Sequence, residues 1–207
     1  MYEIADNKKE QIRNKVITGA QKYKNYLVGK EFLVICEDFT ECIVRFYAND
    51  FIHLTGLLSN LSDDDFFNNC CNSALSTGNI ETLQKYNWRT LKNKFNRIEN
   101  IDQIMYGNFL NSKFITNLHT NTATFPVAIS NFDIDACIGF NTSYNKARTL
   151  RKQSNSTTYD SCKNIIAVFA KQPNVEQYNE KIFLPDKNIL ADKNDILSKL
   201  SDDIEIF

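Results

Sequence analysis

The sequence predicts an α+β domain whose strands form an antiparallel sheet. Three observations favour this fold class: a stretch with helical periodicity comes first, two groups of short apolar segments follow, and helical segments separate the two groups. Helices and strands that are grouped in this way favour α+β over alternating β-α-β units. The chain has 207 residues, which is enough for one such domain.

The first predicted element is a helix that begins near Asp6 and ends near Gly29. Asp is a frequent N-cap residue and Gly frequently follows a helix. Between them, apolar side chains recur at spacings of three and four, which is the period of one helical face. These side chains are Ile12, Val16, Ala20, Tyr23 and Leu27.

The next predicted elements are extended. Residues 31–37 and 41–47 are apolar and β-branched, and only three residues separate them, which predicts a hairpin. Residues 51–56 resemble a third extended segment that ends at Gly56. Two helices are then predicted: one begins after the N-cap Ser62, and the other covers residues 88–104.

A second group of strands follows these helices. The predicted strands are residues 109–117, 123–129, 135–140 and 164–171. The α+β domain is therefore expected to cover residues 1–171. The remaining residues, 172–207, are expected to form an acidic C-terminal appendage on the domain surface, with one short helix.

Composition and charge exclude several classes of protein. The apolar share is 43 % and the charged share 24 %, too apolar for a disordered chain. The net charge is −1, but residues 172–207 carry a net of −4 and residues 1–171 a net of +3. No apolar stretch approaches the length of about 18 residues needed for a membrane span. Residues 1–9 also lack the apolar core of a signal peptide, so a cytoplasmic protein is expected.

Cysteine and histidine are too few and too scattered to predict a metal site. The chain has six Cys without a C-x-x-C pair, and only two His. Without an export signal, a disulfide framework is not expected either. The motifs for phosphate-binding loops, dinucleotide binding, serine hydrolases and zinc proteases are absent from the sequence. We therefore expect no cofactor and no metal.

Four short blocks carry a resemblance to a known family. Residues 46–57, 30–33, 136–140 and 165–171 resemble, in their content and order, blocks of the phage Barnase–EndoU–Colicin–RelE-like nucleases. The resemblance covers roughly residues 8–171. It implies an origin in a phage or mobile element, a curled antiparallel sheet with helices on one side, and cleavage of RNA.

Two histidines and a threonine are the candidate catalytic residues. Metal-independent RNA cleavage needs a base, an acid and a cation at the phosphate, and histidine has a pKa near neutrality. On a strand, His53 faces away from Ile52 and Leu54 and shares a face with Thr55. His119, in a polar stretch, is the second candidate for acid or base. The alternatives are a His53 hydrogen-bonded inside the sheet and an inert surface His119.

Basic residues supply the candidate phosphate site. Arg148, Arg151 and Lys152 lie within five positions of one another, and Arg45 is expected on a strand beside His53. The alternative for the cluster of three is a solvated loop. The sequence names no residues that would bind a metal.

Two functions remain open on the sequence alone. The first is a ribonuclease that uses His53 and the basic cluster. The second is a catalytically inactive nuclease-like fold that inhibits a host defence nucleoprotein, as anti-CRISPR or other anti-defence proteins do. The near-neutral net charge favours the second, because a free ribonuclease benefits from a basic surface that attracts its substrate. The expected partner is therefore RNA or a host defence protein.

Overall fold

The computed structural model describes residues 2–121, 123–141, 146–153 and 158–204. Within these residues the chain forms six α-helices and ten β-strands, and none of the helices is long and apolar enough to cross a membrane. The helices are α1 (Asp6–Tyr26), α2 (Phe51–Thr55), α3 (Asp63–Cys71), α4 (Trp88–Ile98), α5 (Gln103–Tyr106) and α6 (Asn194–Leu197). The strands are β1 (Tyr2–Glu3), β2 (Glu31–Cys36), β3 (Glu41–Arg45), β4 (Leu83–Gln84), β5 (Ser112–His119), β6 (Thr124–Asn131), β7 (Ala136–Phe140), β8 (Ala147–Lys152), β9 (Ser161–Lys171) and β10 (Glu180–Phe183).

Eight of the described strands form one antiparallel sheet. Their order is β3-β2-β9-β5-β6-β7-β8, and β10 pairs with β9 outside this path. A parallel bridge between Arg45 and Lys146 brings the end of β3 close to the start of β8. Because these two strands lie at opposite edges of the sheet, the bridge shows that the sheet is curled into a half-barrel. The prediction of an α+β fold with a curled antiparallel sheet is confirmed.

The larger helices pack together on one face of this sheet. α1 contacts both α3 and α4. The Tyr23 ring of α1 packs among Phe46, Phe51 and Phe67, with ring centroids 5.2–5.9 Å apart. Aromatic contacts of this kind add to the stability that burial itself provides. Because Phe51 belongs to this cluster, the helical layer fixes the position of α2.

Strand β2 is buried on both faces. Phe32, Val34 and Cys36 belong to the core beneath the helices. Leu33 and Ile35 belong to a second core on the opposite face. A strand that is covered on both sides is apolar at every position rather than at alternate ones. This explains why residues 31–36 form a continuous apolar run after Glu31.

The structure contradicts the predicted extended segment at residues 51–56, which form helix α2 instead. The 3₁₀ turn Ala48–Asp50 leads directly into α2, and Gly56 ends it with a left-handed φ of 74°. A short apolar run fits a buried strand and a buried helical turn equally well, so periodicity does not distinguish them. Here the adjacent residues Phe51 and Ile52 are both buried on the helical side of the sheet.

The predicted helices after this segment are present, with one change. The Ser62 hydroxyl accepts a hydrogen bond from the Asp65 backbone N–H at 3.1 Å, so Ser62 is the N-cap of α3 as predicted. The predicted helix at residues 88–104 is divided into α4 and α5. The division follows a tight turn in which the Asn100 N–H donates to the Arg97 carbonyl at 3.0 Å.

The C-terminal segment lies on the face of β2 that is opposite the helices. β10 extends the sheet beside β9, and residues of the segment complete the second core. The predicted short helix corresponds to α6 and the 3₁₀ turn Lys187–Leu190 before it. The division of the chain at residue 171 stays a prediction. The second core consists of Leu33, Ile35, Ala167, Phe169, Tyr178, Leu190, Ile196, Leu200 and Ile204.

We expect removal of residues 172–207 to destabilise the rest of the chain strongly. The deletion exposes Leu33 and Phe169 among others, and burial of each such side chain contributes about 1.5–3 kcal/mol. Urea denaturation followed by circular dichroism measures the loss. Leu190→Ala should lower the free energy of unfolding by about 2–5 kcal/mol, while Asn188→Ala at an exposed position should not change it. Unchanged stability after the deletion would show that the segment is an independent appendage.

Candidate active site

A polar cavity of about 320 Å³ lies where the turn before α2, the start of α3, the end of β7 and the start of β8 meet. Its lining contains both positive and negative side chains, which favours a charged ligand over an apolar one. We call it the His53 cavity. It is lined by Asn49, Asp50, His53, Asp63, Asn141, Lys146 and Arg148.

Helical geometry brings Asp50 and His53 to the same cavity. Asp50 ends the 3₁₀ turn and His53 lies one turn later in α2. Residues three apart share one face of a helix, so both side chains point to the same side. Phe51, Ile52 and Leu54 are buried and anchor the helix on its other sides.

A β-bulge directs Arg148 to this cavity. Gly139 pairs with Thr149 and Phe140 pairs with Ala147, so Arg148 is an extra residue in β8 with no partner in β7. A bulge bends the strand and reorients a side chain. As a result Ala147 faces the core, while the Arg148 Nη1 atom lies 3.3 Å from Asp50 Oδ1.

Asp50 is a buried carboxyl group at the wall of the cavity. The residue is 3 % exposed, and its Oδ1 atom accepts the hydrogen bond from Arg148. Its Oδ2 atom is buried and has no hydrogen-bond partner among the described residues. Burial raises the pKa of Asp50, and the positive charges of Arg148 and Lys146 oppose this rise.

His53 is half-exposed at the cavity mouth. Its Nε2 atom lies 3.7 Å from Asp63 Oδ2, at the start of α3. Partial burial lowers the pKa of His53, the nearby Arg148 charge lowers it further, and Asp63 and Asp50 oppose the change. The imidazole is therefore mainly neutral near pH 7, the form that accepts a proton.

Lys146 and two amides complete the lining. The Lys146 ammonium lies 4.6 Å from the centroid of the Tyr47 ring, a cation–π contact at the cavity edge. The Asn141 side-chain oxygen accepts a hydrogen bond from the Lys146 backbone N–H at 3.3 Å. Asn49 is exposed, and its side-chain amide contributes donors and an acceptor at the rim. Two cations, one imidazole and two amides can together bind and polarise a phosphate group.

Thr55 does not share this site. It is fully buried, its hydroxyl donates to the Ile52 carbonyl at 2.6 Å, and the same hydroxyl accepts from the Leu57 N–H at 3.1 Å. The prediction that Thr55 lies beside His53 depended on a strand, in which residues two apart share a face. In a helix they point in nearly opposite directions, so the prediction of a shared face is wrong.

His119 is not among the residues that line the His53 cavity. It ends β5, where its Nδ1 atom lies 3.1 Å from Thr124 Oγ1 and its Nε2 atom lies 3.1 Å from Asp160 Oδ1. Both ring nitrogens therefore have partners on neighbouring strands. The structure does not bring the two histidines together at this cavity.

The other predicted phosphate ligands are separated from Arg148. Arg45 pairs with the Glu31 carboxylate, and Lys152 lies 3.7 Å from Asp135. The Arg151 charge acts on a buried lysine of α4 and lowers the pKa of that lysine. None of the three lines the His53 cavity as the described residues define it. Arg151 and Lys152 point to opposite faces because they are successive residues of a strand, and the bulge at Arg148 interrupts the alternation that would otherwise give Arg148 the face of Lys152.

Sequence reasoning missed Asp50, Asp63 and Lys146. The signal for Asp50 was its spacing of three from His53, which becomes informative only when the segment is treated as a helix. Asp63 lies at the start of the helix predicted after Ser62, but the sequence does not indicate that it is a neighbour of His53. Within the described residues, no cluster of three or more His, Cys, Asp or Glu side chains is arranged to hold a metal ion.

One family model matches the chain. Residues 15–197 match the model described as phage-Barnase-EndoU-ColicinE5/D-RelE like nuclease4, and this range includes every residue that lines the His53 cavity. No curated protein and no solved structure matches the chain. The four sequence blocks predicted this kind of nuclease-like protein, and the match confirms the prediction. The chain therefore belongs to the phage-Barnase-EndoU-ColicinE5/D-RelE like nuclease4 family.

Proposed function

We propose that the protein is an endoribonuclease that cleaves RNA in the His53 cavity by metal-independent transesterification. The observation that carries the proposal is the convergence of one imidazole with two cations on a single cavity. Membership of a nuclease family supports a nucleic-acid substrate. The need for a ribose 2′-hydroxyl as the attacking group makes that substrate RNA.

In this proposal His53 is the general base. Its neutral imidazole accepts the proton of the 2′-hydroxyl, and the 2′-oxygen then attacks the adjacent phosphorus. Arg148 and Lys146 stabilise the negative charge that develops on the phosphate oxygens. The Lys146 ammonium can also donate a proton to the leaving 5′-oxygen. The products are a 2′,3′-cyclic phosphate and a free 5′-hydroxyl.

Asp63 supports the proton transfer without touching the substrate. The 3.7 Å separation from His53 Nε2 is longer than a hydrogen bond, so the carboxylate acts through its charge. When His53 becomes protonated, the negative charge of Asp63 stabilises the imidazolium. Asp63 is therefore proposed as a positioning residue and not as a catalytic one.

We expect His53→Gln to lower kcat/KM for RNA cleavage by about 10²–10⁴-fold, the usual contribution of a general base. The substrate is a fluorogenic DNA oligonucleotide with one ribonucleotide, assayed in EDTA, and the all-DNA version is the negative control. His119→Gln is the matched control because it removes the other histidine of the chain. The wild-type kcat/KM should rise with pH through a pKa below the usual 6.5 of histidine. Equal losses in the two variants would contradict the assigned role.

Absence of cleavage by the wild-type protein would instead favour the binding function. The net charge of −1 supports this second candidate, because it provides little long-range attraction for RNA. In that case the protein binds a nucleic acid or a nucleoprotein through the His53 cavity and blocks it. A stoichiometric complex that forms without turnover, and that His53→Gln weakens, would distinguish this function from catalysis.

A further inference from the structure

The buried carboxyl group of Asp50 is a second feature of the cavity that the proposed cleavage does not use. Its side chain is 4 % exposed, whereas the Arg148 side chain that contacts it is 39 % exposed. Oδ1 accepts from Arg148, but Oδ2 has no hydrogen-bond partner among the described residues. An ionised carboxylate normally accepts several hydrogen bonds, so this group is poorly solvated in its charged form.

Charged and titratable groups face Asp50 from each neighbouring element. Arg148 of β8, Lys146 before β8 and His53 of α2 act on its charge. From α1, the Tyr23 hydroxyl donates to the Tyr47 carbonyl at 3.1 Å, and burial and the Asp50 charge raise its pKa, so it stays neutral. α3 contributes Asp63, which lies beside His53. The cavity thus contains two fixed cations and two carboxyl groups.

A phosphate group that enters this cavity meets the carboxylate of Asp50 as well as the cations. Two negative charges in a poorly solvated site repel each other strongly, because the effective dielectric constant is low. Asp50 also accepts a hydrogen bond from the Arg148 guanidinium, the donor group that the phosphate needs. A proton on Asp50 removes the repulsion and releases the guanidinium.

We propose that Asp50 is a positioning residue that holds Arg148 in the empty cavity and takes up a proton from solvent when a phosphodiester binds. The proton goes to Oδ2, the oxygen that no donor among the described residues contacts, and Arg148 then donates to the phosphate. The inference rests on phosphate binding in the proposed function, but it does not require cleavage. It predicts that binding of the phosphodiester is coupled to uptake of a proton.

The direction of the coupling follows from the groups in the cavity. Burial already raises the pKa of Asp50 despite the nearby cations. A bound phosphodiester adds a negative charge and occupies Arg148, and both changes raise that pKa further. A ligand that raises the pKa of a group binds more tightly as the pH falls through the range between the two pKa values.

The test measures the affinity of a deoxydinucleotide by NMR titration at several pH values. This probe has one phosphodiester and lacks the 2′-hydroxyl, so it binds without being cleaved. We expect Asp50→Asn to bind it more tightly than the wild type at neutral pH, by up to about tenfold for each unit by which the ligand raises the pKa of Asp50. The variant should also lose the increase in affinity at acidic pH, apart from the share that belongs to His53.

Asp38→Asn is the matched control. Asp38 pairs with Lys163 and does not line the cavity, and its substitution changes the net charge by the same amount. We expect this variant to keep the wild-type affinity and the wild-type pH dependence. Its result separates the effect of Asp50 from a general change in the charge of the protein.

The inference is overturned if folded Asp50→Asn binds no more tightly than the wild type at neutral pH. The chemical shift of the Asp50 carboxyl carbon provides a second measurement in the unsubstituted protein, and its titration midpoint should move to higher pH when the dinucleotide is added. Proton-linked binding without RNA cleavage would refute the proposed function and leave this inference intact. Cleavage of RNA by a protein in which the dinucleotide does not move the Asp50 midpoint would support the proposed function and refute this inference.

Discussion

Arg148→Met is expected to lower kcat/KM for RNA cleavage by about 10²–10³-fold, the usual effect of removing one donor that stabilises a charged transition state. The proposed mechanism assigns Arg148 to the phosphate, and among the described residues that line the cavity it supplies the only guanidinium, whose fork of donors fits a phosphate. Methionine keeps a similar side-chain length without the charge. Cleavage of the oligonucleotide with a single ribonucleotide measures the effect.

The matched control for this variant is Arg151→Met. Arg151 lies in the same strand but outside the cavity, so its substitution should change kcat/KM by no more than about twofold. Removing Arg148 also leaves the buried Asp50 unpaired, which destabilises the protein. The double variant Arg148→Met/Asp50→Asn avoids that unpaired charge. If the double variant is folded and cleaves at the wild-type rate, Arg148 has no role at the phosphate.

Most of the fold could be predicted because burial of a helix or strand determines the spacing of apolar residues along the sequence. The apolar period of α1 and the continuous apolar run of β2 reflect one buried face and two buried faces, respectively. The N-cap at Ser62 also depends only on local chemistry. Predictions of this kind succeed because the informative residues lie within a few positions of one another in the sequence.

The candidate site could be predicted only in part, because α2 is too short to reveal its type. Five residues make little more than one helical turn, and a strand of the same composition has the same apolar content. The choice is made by tertiary packing of Phe51 against the aromatic rings of α1 and α3. In the helical segment, Asp50 lies on the same face as His53, and Thr55 points away from His53.

The position of Arg148 depends on pairing that the sequence does not display. Its residue type predicts a phosphate ligand, but the two neighbouring cations, Arg151 and Lys152, fit that role equally well. The register shift between β7 and β8 directs the Arg148 side chain toward Asp50. A bulge is a property of two strands together, and local sequence in one strand does not specify it.

A buried lysine gives the second large expected effect, this time on stability. Lys94 of α4 is 6 % exposed, and its ammonium donates to the Leu150 carbonyl at 2.8 Å. Burial, and to a smaller extent the charge of Arg151, lowers the pKa of Lys94 to about 7. Its stem lies against Gly56, where an added Cβ would lie 2.7 Å from Lys94 Cδ, so it has little space in which to reach solvent.

The low pKa of Lys94 makes the stability of the protein depend on pH. In the unfolded chain a lysine keeps its proton up to about pH 10.4. Above about 7 the folded protein has released this proton and the unfolded chain has not, so the free energy of unfolding rises with pH. From pH 7 to about 8.5 this group alone contributes a rise of about 2 kcal/mol.

Buried cysteines oppose the contribution of Lys94, increasingly as the pH rises. Burial raises the pKa of Cys36, Cys70 and Cys137 to about 12. In the unfolded chain these thiols are half ionised at about pH 8.5 and begin to ionise below it, so the unfolded state releases protons that the folded state keeps. By the same relation the three thiols together lower stability by about 1 kcal/mol between pH 7 and about 8.5, and by more above that range.

Lys94→Met is therefore expected to lack the contribution of about 2 kcal/mol that Lys94 makes between pH 7 and about 8.5, so the difference in free energy of unfolding between wild type and variant should grow by that amount over this range. Methionine keeps the packing against Gly56 and removes the titrating group, while the fall caused by the cysteines remains. Urea denaturation at a series of pH values measures both proteins, with Lys92→Met as the control at an exposed position of the same helix. A difference that does not change with pH would show that the Lys94 ammonium stays protonated in the folded protein. Growth of the difference for Lys94→Met, and not for Lys92→Met, would show that α4 holds a lysine that is neutral at mildly alkaline pH.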